Sequence, residues 1–183
     1  MPSPPLPPRD AFLQLVLSQV RVTTLVCTRQ VVVNGYKLPS RVVTDYNFIF
    51  CRQGKVVWVV DDVSHELSPG DLIVVPPGLP HHAYSKTKGM TIGSVHVTAK
   101  LPGGQDLFEI LIPAHVRNVE AKSRLDQYLQ MNVAEYDRAD MPATQLTMPA
   151  YGRLITLELF RYDAAHGLLK QRPIDPLVAE MVD

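Results

Sequence analysis

The chain has 183 residues, 46% hydrophobic and 20% charged, with 18 basic side chains against 18 acidic ones. That is ordinary for one core-forming domain with at most an appendage. Zero formal net charge leaves no basic footprint for nucleic acid or an anionic membrane, and no long uncharged apolar run is present to span a bilayer.

The first segment holds Pro2, Pro4, Pro5, Pro7 and Pro8, which deny it regular hydrogen bonding. It reads as a proline-rich arm over 1–8, without a signal-peptide pattern. Cytoplasm is therefore the expected compartment, and Cys27 and Cys51 read there as buried free thiols. Asp10 to Gln19 is short and densely apolar, so helix and strand both remain open. From Val20 to Thr98 the chain reads as β, rich in Val, Ile, Thr, Tyr and Phe with turn signals at short spacing. Asn34-Gly35 is a hairpin-type dipeptide. Gln53-Gly54, Asp61-Asp62, Ser68-Pro69-Gly70-Asp71 and Pro76-Pro77-Gly78 separate further strands. Many short strands of this kind predict a sandwich or barrel.

The character then changes. Ser123 to Arg138 predicts a helix with Ser123 as N-cap. Met141 to Met148 reads as a loop, and Pro149 can open a second helix at its first position, ending near Gly167. The two form an antiparallel pair. Asp175-Pro176 begins another helical pattern, either a docked terminal helix or the start of a further domain. The expected division is the arm over 1–8, a barrel over 9–112, and a helical dimerisation region with the start of a linker over 113–183.

The strongest local pattern is Gly70-Asp71-Leu72-Ile73-Val74-Val75-Pro76-Pro77-Gly78-Leu79-Pro80-His81. It resembles the second motif of cupins: glycine, five residues, proline, any residue, glycine, two residues, histidine. The fold this implies is mainly β with an α tail, a cupin (double-stranded β-helix or jelly-roll) barrel followed by the helix pair. In metal-binding cupins the histidine is one ligand of four. The places of the others fall on Asn47 and near Arg41 and Val43, none of them a usual ligand for zinc or iron. The barrel is therefore expected to hold no metal and no cofactor.

With Asp45-Tyr46, Pro69-Gly70-Asp71, Pro76 to His82 and Val95-His96-Val97, the chain resembles the sensory domain of AraC-type transcription regulators. That resemblance implies a small-molecule effector of unknown identity, a homodimer, and no enzymatic activity. DNA would be met only through a helix-turn-helix domain not contained in these residues, and no membrane is involved. It gives His81 and Arg41 ligand-contacting places, and puts Ala83 and Ser94 where the family carries aromatic residues. A sugar effector fits poorly without those rings.

Each candidate also has a plainer reading. His81 lines the pocket or satisfies a barrel-rim hydrogen bond. His96 shares its strand face with Ser94 and Thr98, towards a polar cavity or towards solvent. Arg41 is a surface residue, or it faces inward where its fork suits a carboxylate or phosphate. Trp58 packs in the core or offers a stacking platform. Asn47 alternates with Ile49 and Cys51 and can orient a ligand. Leu125, Leu129, Leu154 and Leu157 are the expected dimer contacts. The competing function is a metal-dependent cupin enzyme, a dioxygenase or isomerase, built on an unusual ligand set that includes His81 and His96.

Overall fold

The computed structural model describes residues 20–32, 35–101, 104–136, 138 and 144–172. The proline-rich arm, the segment from Asp10 to Gln19, the Cys27 side chain and the Asp175-Pro176 helix start lie outside the described residues. The elements in order are β1 (Arg21–Val32), β2 (Lys37–Arg41), β3 (Tyr46–Gln53), β4 (Val56–Val60), β5 (Val63–Leu67), β6 (Asp71–Val75), β7 (His81–Ser85) and β8 (Met90–Lys100). They continue with α1 (Leu107–Ile110), β9 (Leu111–Ile112), β10 (Val116–Asn118), α2 (Arg124–Tyr136), α3 (Thr144–Ala165) and β11 (Lys170–Gln171).

Two antiparallel sheets face each other, one ordered β1-β8-β3-β6-β10 and the other β2-β7-β4-β5. Among β1 to β8 only β4 and β5 are consecutive strands paired with each other. Their link is Asp61-Asp62, with φ of 47° and 62°. A two-residue turn with both φ positive matches the right-handed twist of its strands, and aspartate tolerates that region better than most side chains. Every other link in that run crosses from one sheet to the other, which is the jelly-roll path. The hairpin expected at Asn34-Gly35 is corrected accordingly: β1 and β2 belong to different sheets. At the β3–β4 crossing Gly54 has φ +77°, and an added Cβ would lie 2.3 Å from the Gly89 carbonyl oxygen, so only glycine fits.

The central strands of the five-stranded sheet, β8, β3 and β6, are buried on both faces. Ile49, Cys51, Ile73, Val75, Met90 and Ile92 face the barrel interior with Val56, Trp58, Val60, Leu67 and Ala83 of the other sheet. Phe48, Phe50, Leu72, Val74, Val95, Val97 and Ala99 alternate with them and pack under α1, α2 and α3. The sheet runs on to Asn118 in β10, past the expected barrel boundary at 112.

Ser123 caps α2 as its sequence predicts, its Oγ accepting from the Asp126 amide at 3.2 Å. The start of α3 differs from expectation. The helix begins at Thr144 and carries Pro149 inside it. Glu135, near the end of α2, accepts from the hydroxyls of Thr144 at 3.0 Å and Thr147 at 2.7 Å. Those bonds fix the helix start upstream of the proline. Gly152 then lets α3 sit on β1, since a Cβ there would lie 1.9 Å from Thr24 Oγ1.

A buried ion pair joins the helix to the sheet edge. Arg117 of β10 meets Asp163 of α3 at 2.7 Å from Nε to Oδ1 and 2.9 Å from Nη2 to Oδ2. The Ala114 amide also donates to Asp163 at 2.9 Å, and Arg117 Nη2 donates to the Ala114 carbonyl. Removing one partner strands the other charge in the interior. Asp163→Ala should cost about 3–5 kcal/mol, whereas the double variant Arg117→Met/Asp163→Leu should recover most of that. Urea unfolding of the three proteins checks it; a single variant as stable as the parent would show that the pair holds nothing.

Candidate functional site

The polar residues of the barrel interior lie towards one end. Asn47, opening β3, pairs across the sheet with Val75 of β6 and His96 of β8. On the opposing sheet His81 opens β7, opposite Val60 of β4 and Arg41 of β2. The far end, marked by Cys51, Val56, Leu67 and Met90, is apolar.

His81 is wholly buried, while His82 beside it is half-buried on the other face. The His81 ring stacks on Trp58 with centroids 6.3 Å apart and planes at 23°. Arg41 Nε donates to His81 Nε2 at 3.3 Å, and His81 Nδ1 lies 3.2 Å from the Leu79 carbonyl oxygen. Both contacts are satisfied by one state, the neutral ring with its proton on Nδ1. Burial is the main force holding its pKa below 6.5, opposed by the Leu79 carbonyl and reinforced by the nearby Arg41 charge.

Arg41 reaches His81 through a break in register. Leu38 pairs with Ala83 but Arg41 pairs with His81, three residues along β2 against two along β7. This bulge sets Arg41 beside His81, although Arg41 as a whole remains exposed.

Asn47 and Trp58 are the exceptional groups. Both are buried, and neither the Asn47 Nδ2, the Asn47 Oδ1 nor the Trp58 Nε1 has a hydrogen-bond partner. Each such group carries a desolvation cost of about 1–3 kcal/mol, and native interiors seldom leave one unmatched without a reason. Ala83 is buried beside Trp58 across β7 and β4. Ser94 lies on the same face of β8 as Ile92 and His96, half-buried.

Two residues complete the site without having been singled out. Asp45 Oδ1 lies 2.8 Å from His96 Nδ1, with both side chains nearly buried. Its parity with Asn47 was the available signal. Tyr36 packs against the interior cluster, its phenol pKa raised by burial and opposed by Arg41.

The expected dimer contacts need correction. Leu125 and Leu129 are 1% and 2% exposed, buried in the chain's own core beneath the helix pair. The sheet's outer face takes them, so they offer no surface to a partner. Leu157 also packs on that core, and Leu154 remains 37% exposed.

Metal-binding cupins draw a ligand from the place that His81 holds. Here the inward ring nitrogen accepts from a guanidinium, and an amide and a cation stand at the other ligand places. That donor set does not fit a metal cation. Among the described residues no three His, Cys, Asp or Glu side chains are grouped as metal ligands.

The fold and the polar barrel end define a class, the cupin barrels. The chain carries a cupin domain, with residues 39–92 matching the family model of that description. No curated protein matches the sequence. Solved structures that it resembles include a tryptophan-to-tyrosine variant of oxalate decarboxylase from Bacillus subtilis, at 18% identity over 40% of this chain and 21% of that one, with a TM-score of 0.38. Another is the conserved SPY1581 protein of unknown function from Streptococcus pyogenes, at 21% identity over 43% of this chain and 74% of that one, with a TM-score of 0.37. This chain thus spans about a fifth of the oxalate decarboxylase chain, and likeness at this level bears on the fold alone. The expectation of no enzymatic activity is nonetheless corrected: the solved structures of similar fold include an enzyme, a decarboxylase, so this barrel is no ground for setting catalysis aside. Among the described residues no helix is long and apolar enough to cross a membrane.

The site carries a pH signature. Burial depresses the pKa of His81, and also that of His115, where His65 and Arg117 add to the effect. The unfolded chain therefore takes up protons that the folded one refuses. Stability is full above about pH 6.5 and is lost as pH falls below it. His166, its pKa raised by the Tyr162 carbonyl and Glu120, works in the opposite sense, yet His81→Gln should make the fall in urea midpoint between pH 7.5 and pH 5.5 smaller than in the parent. An unchanged pH dependence in the variant would remove His81 as its source.

Proposed function

We propose that the barrel binds a small polar organic molecule and that the chain is the effector-sensing domain of an AraC-type transcription regulator. The observation that carries the binding reading is the buried Asn47 amide, unpartnered at both its nitrogen and its oxygen. A ligand with one acceptor and one donor would satisfy both, and the Trp58 N–H offers a further donor. The regulator reading rests on the motif resemblance and on the helix pair clamped to the outer face of the binding sheet. In that reading the helices pair two copies, and DNA is met through a separate domain.

Catalysis in the same pocket is the second reading. It is favoured by a neutral buried histidine held against a cationic side chain. Recovery of a bound compound unchanged after prolonged incubation supports sensing, whereas its conversion supports an enzyme.

Asn47→Leu replaces the amide by an apolar side chain of similar size. The unliganded protein should become more stable by about 1–3 kcal/mol, because two unmatched polar atoms leave the interior. Binding of any barrel ligand should fall at the same time. A destabilised Asn47→Leu protein would mean that the amide serves the fold, and the binding reading would fail.

The pairing of two copies has its own check. Leu154 of α3 and Met131 of α2 are exposed, at 37% and 46%. Sedimentation equilibrium should give a dimer mass at micromolar concentration, and Leu154→Glu with Met131→Glu should weaken it by about tenfold or more. A monomer mass in the parent ends the dimer proposal.

A further inference from the structure

We infer that the barrel ligand is a small organic anion, its carboxylate anchored on Arg41 and its polar body reaching Asn47 and Trp58. This rests on the barrel-binding reading above and narrows it to a chemical class.

Arg41 uses only Nε within the described residues, on His81 Nε2. Its two terminal nitrogens have no hydrogen bond there, and no carboxylate among those residues pairs with it. The nearest acid along the chain at this end, Asp45, is held by His96 at 2.8 Å. Asp61 and Asp62 sit on the β4–β5 turn at the same end, where the Asp61 amide donates to the Pro80 carbonyl at 2.9 Å. Both are exposed, as Arg41 itself is, and neither is bonded to it. Among the described residues, Arg41 is thus an exposed cation at the polar end, tied inward by its bond to buried His81 and paired with no carboxylate. His81 fixes its aim. A neutral ring whose Nδ1–H faces the Leu79 carbonyl must accept at Nε2, and the guanidinium is steered by that bond.

A guanidinium with two free terminal nitrogens matches a carboxylate in a planar fork. Behind it the interior offers two donors, Asn47 Nδ2 and Trp58 Nε1, and one acceptor, Asn47 Oδ1. Ile49, Val60, Val75 and Ala83 belong to the same buried interior cluster as Trp58. The complement is a hydroxy or keto acid with a compact apolar body. A neutral polyol would answer the amide but leave the guanidinium unmatched. An amine would meet Arg41 with like charge.

The single tryptophan of the chain makes the test direct. The Trp58 indole N–H gives one NMR resonance inside the barrel. The probes are 4-hydroxybenzoate and 3-hydroxybutyrate, each against its own primary amide, with arabinose as a neutral polyol. At least one acid should move the indole resonance saturably, and its amide should bind about tenfold more weakly or worse. Arg41→Gln should bring the acid down to the level of its amide while changing the amide by no more than about twofold. An acid and amide of equal affinity, a preference that survives Arg41→Gln, or binding by arabinose alone would overturn the anion while leaving the barrel reading standing. No response to any probe at millimolar concentration would also overturn it. The barrel reading itself is judged separately, by the stability of Asn47→Leu.

Discussion

One constraint shapes this molecule: the central strands of its five-stranded sheet are apolar on both faces, so each face must be covered. The second sheet covers one and encloses the barrel interior. The other would expose Phe48, Phe50, Leu72, Val74, Val95 and Val97 if the helices were absent. Each large side chain of that kind loses about 1.5–3 kcal/mol when left in water. The helix pair is therefore part of the barrel's own stability. Phe108 of α1 is the hinge of that packing. It stacks on Tyr46 at 3.9 Å and meets Phe48 at 5.9 Å and Phe160 of α3 at 5.1 Å. The same constraint takes Leu125 and Leu129 into the core.

The polar barrel end and the helix layer consequently share strands. Along β3, Asn47 faces the interior and Phe48 faces the helices. Along β6, Val75 lies opposite Asn47 while Ile73 lies opposite Val116 of β10. The next residue, Arg117, carries the buried pair to α3. A shift of β3 or β6 on the interior side would have to be taken up by tightly packed side chains on the other side. Two strands and one ion pair thus connect the polar barrel end to α3.

The strand pattern was legible because burial on both faces writes itself as uninterrupted apolar runs, such as Phe48-Ile49-Phe50-Cys51 and Leu72-Ile73-Val74-Val75. The glycine and proline turns between them were equally plain. Which sheet each strand joins was not, since a turn dipeptide such as Asn34-Gly35 has the same local chemistry whether the chain folds back or crosses over. The inward parity of Trp58 and Asn47 followed from alternation. Arg41 did not, because the register break in β2 cancels the alternation there. The start of α3 was misplaced because Pro149 satisfies the local rule for a first helical position. The tertiary bonds of Glu135 to Thr144 and Thr147 override that rule.

The weight of the site also falls differently from what the motif suggests. His81 is the residue that the cupin pattern marks, yet the fold alone accounts for it. Its two nitrogens are satisfied by Leu79 and Arg41, and its ring is packed against Trp58. A structural role explains every contact that it makes. Asn47 is the reverse case. The cupin pattern puts a metal ligand at its place, yet here it stands between Val75 and His96 with no hydrogen-bond partner for either amide atom. Its amide stabilises nothing in the folded chain, and the energy of leaving both atoms unmatched opposes folding. A group that costs the fold and contributes nothing to it is explained most economically by a partner that arrives from outside. The unmatched amide is therefore firmer ground for the proposed binding than the motif histidine across the barrel.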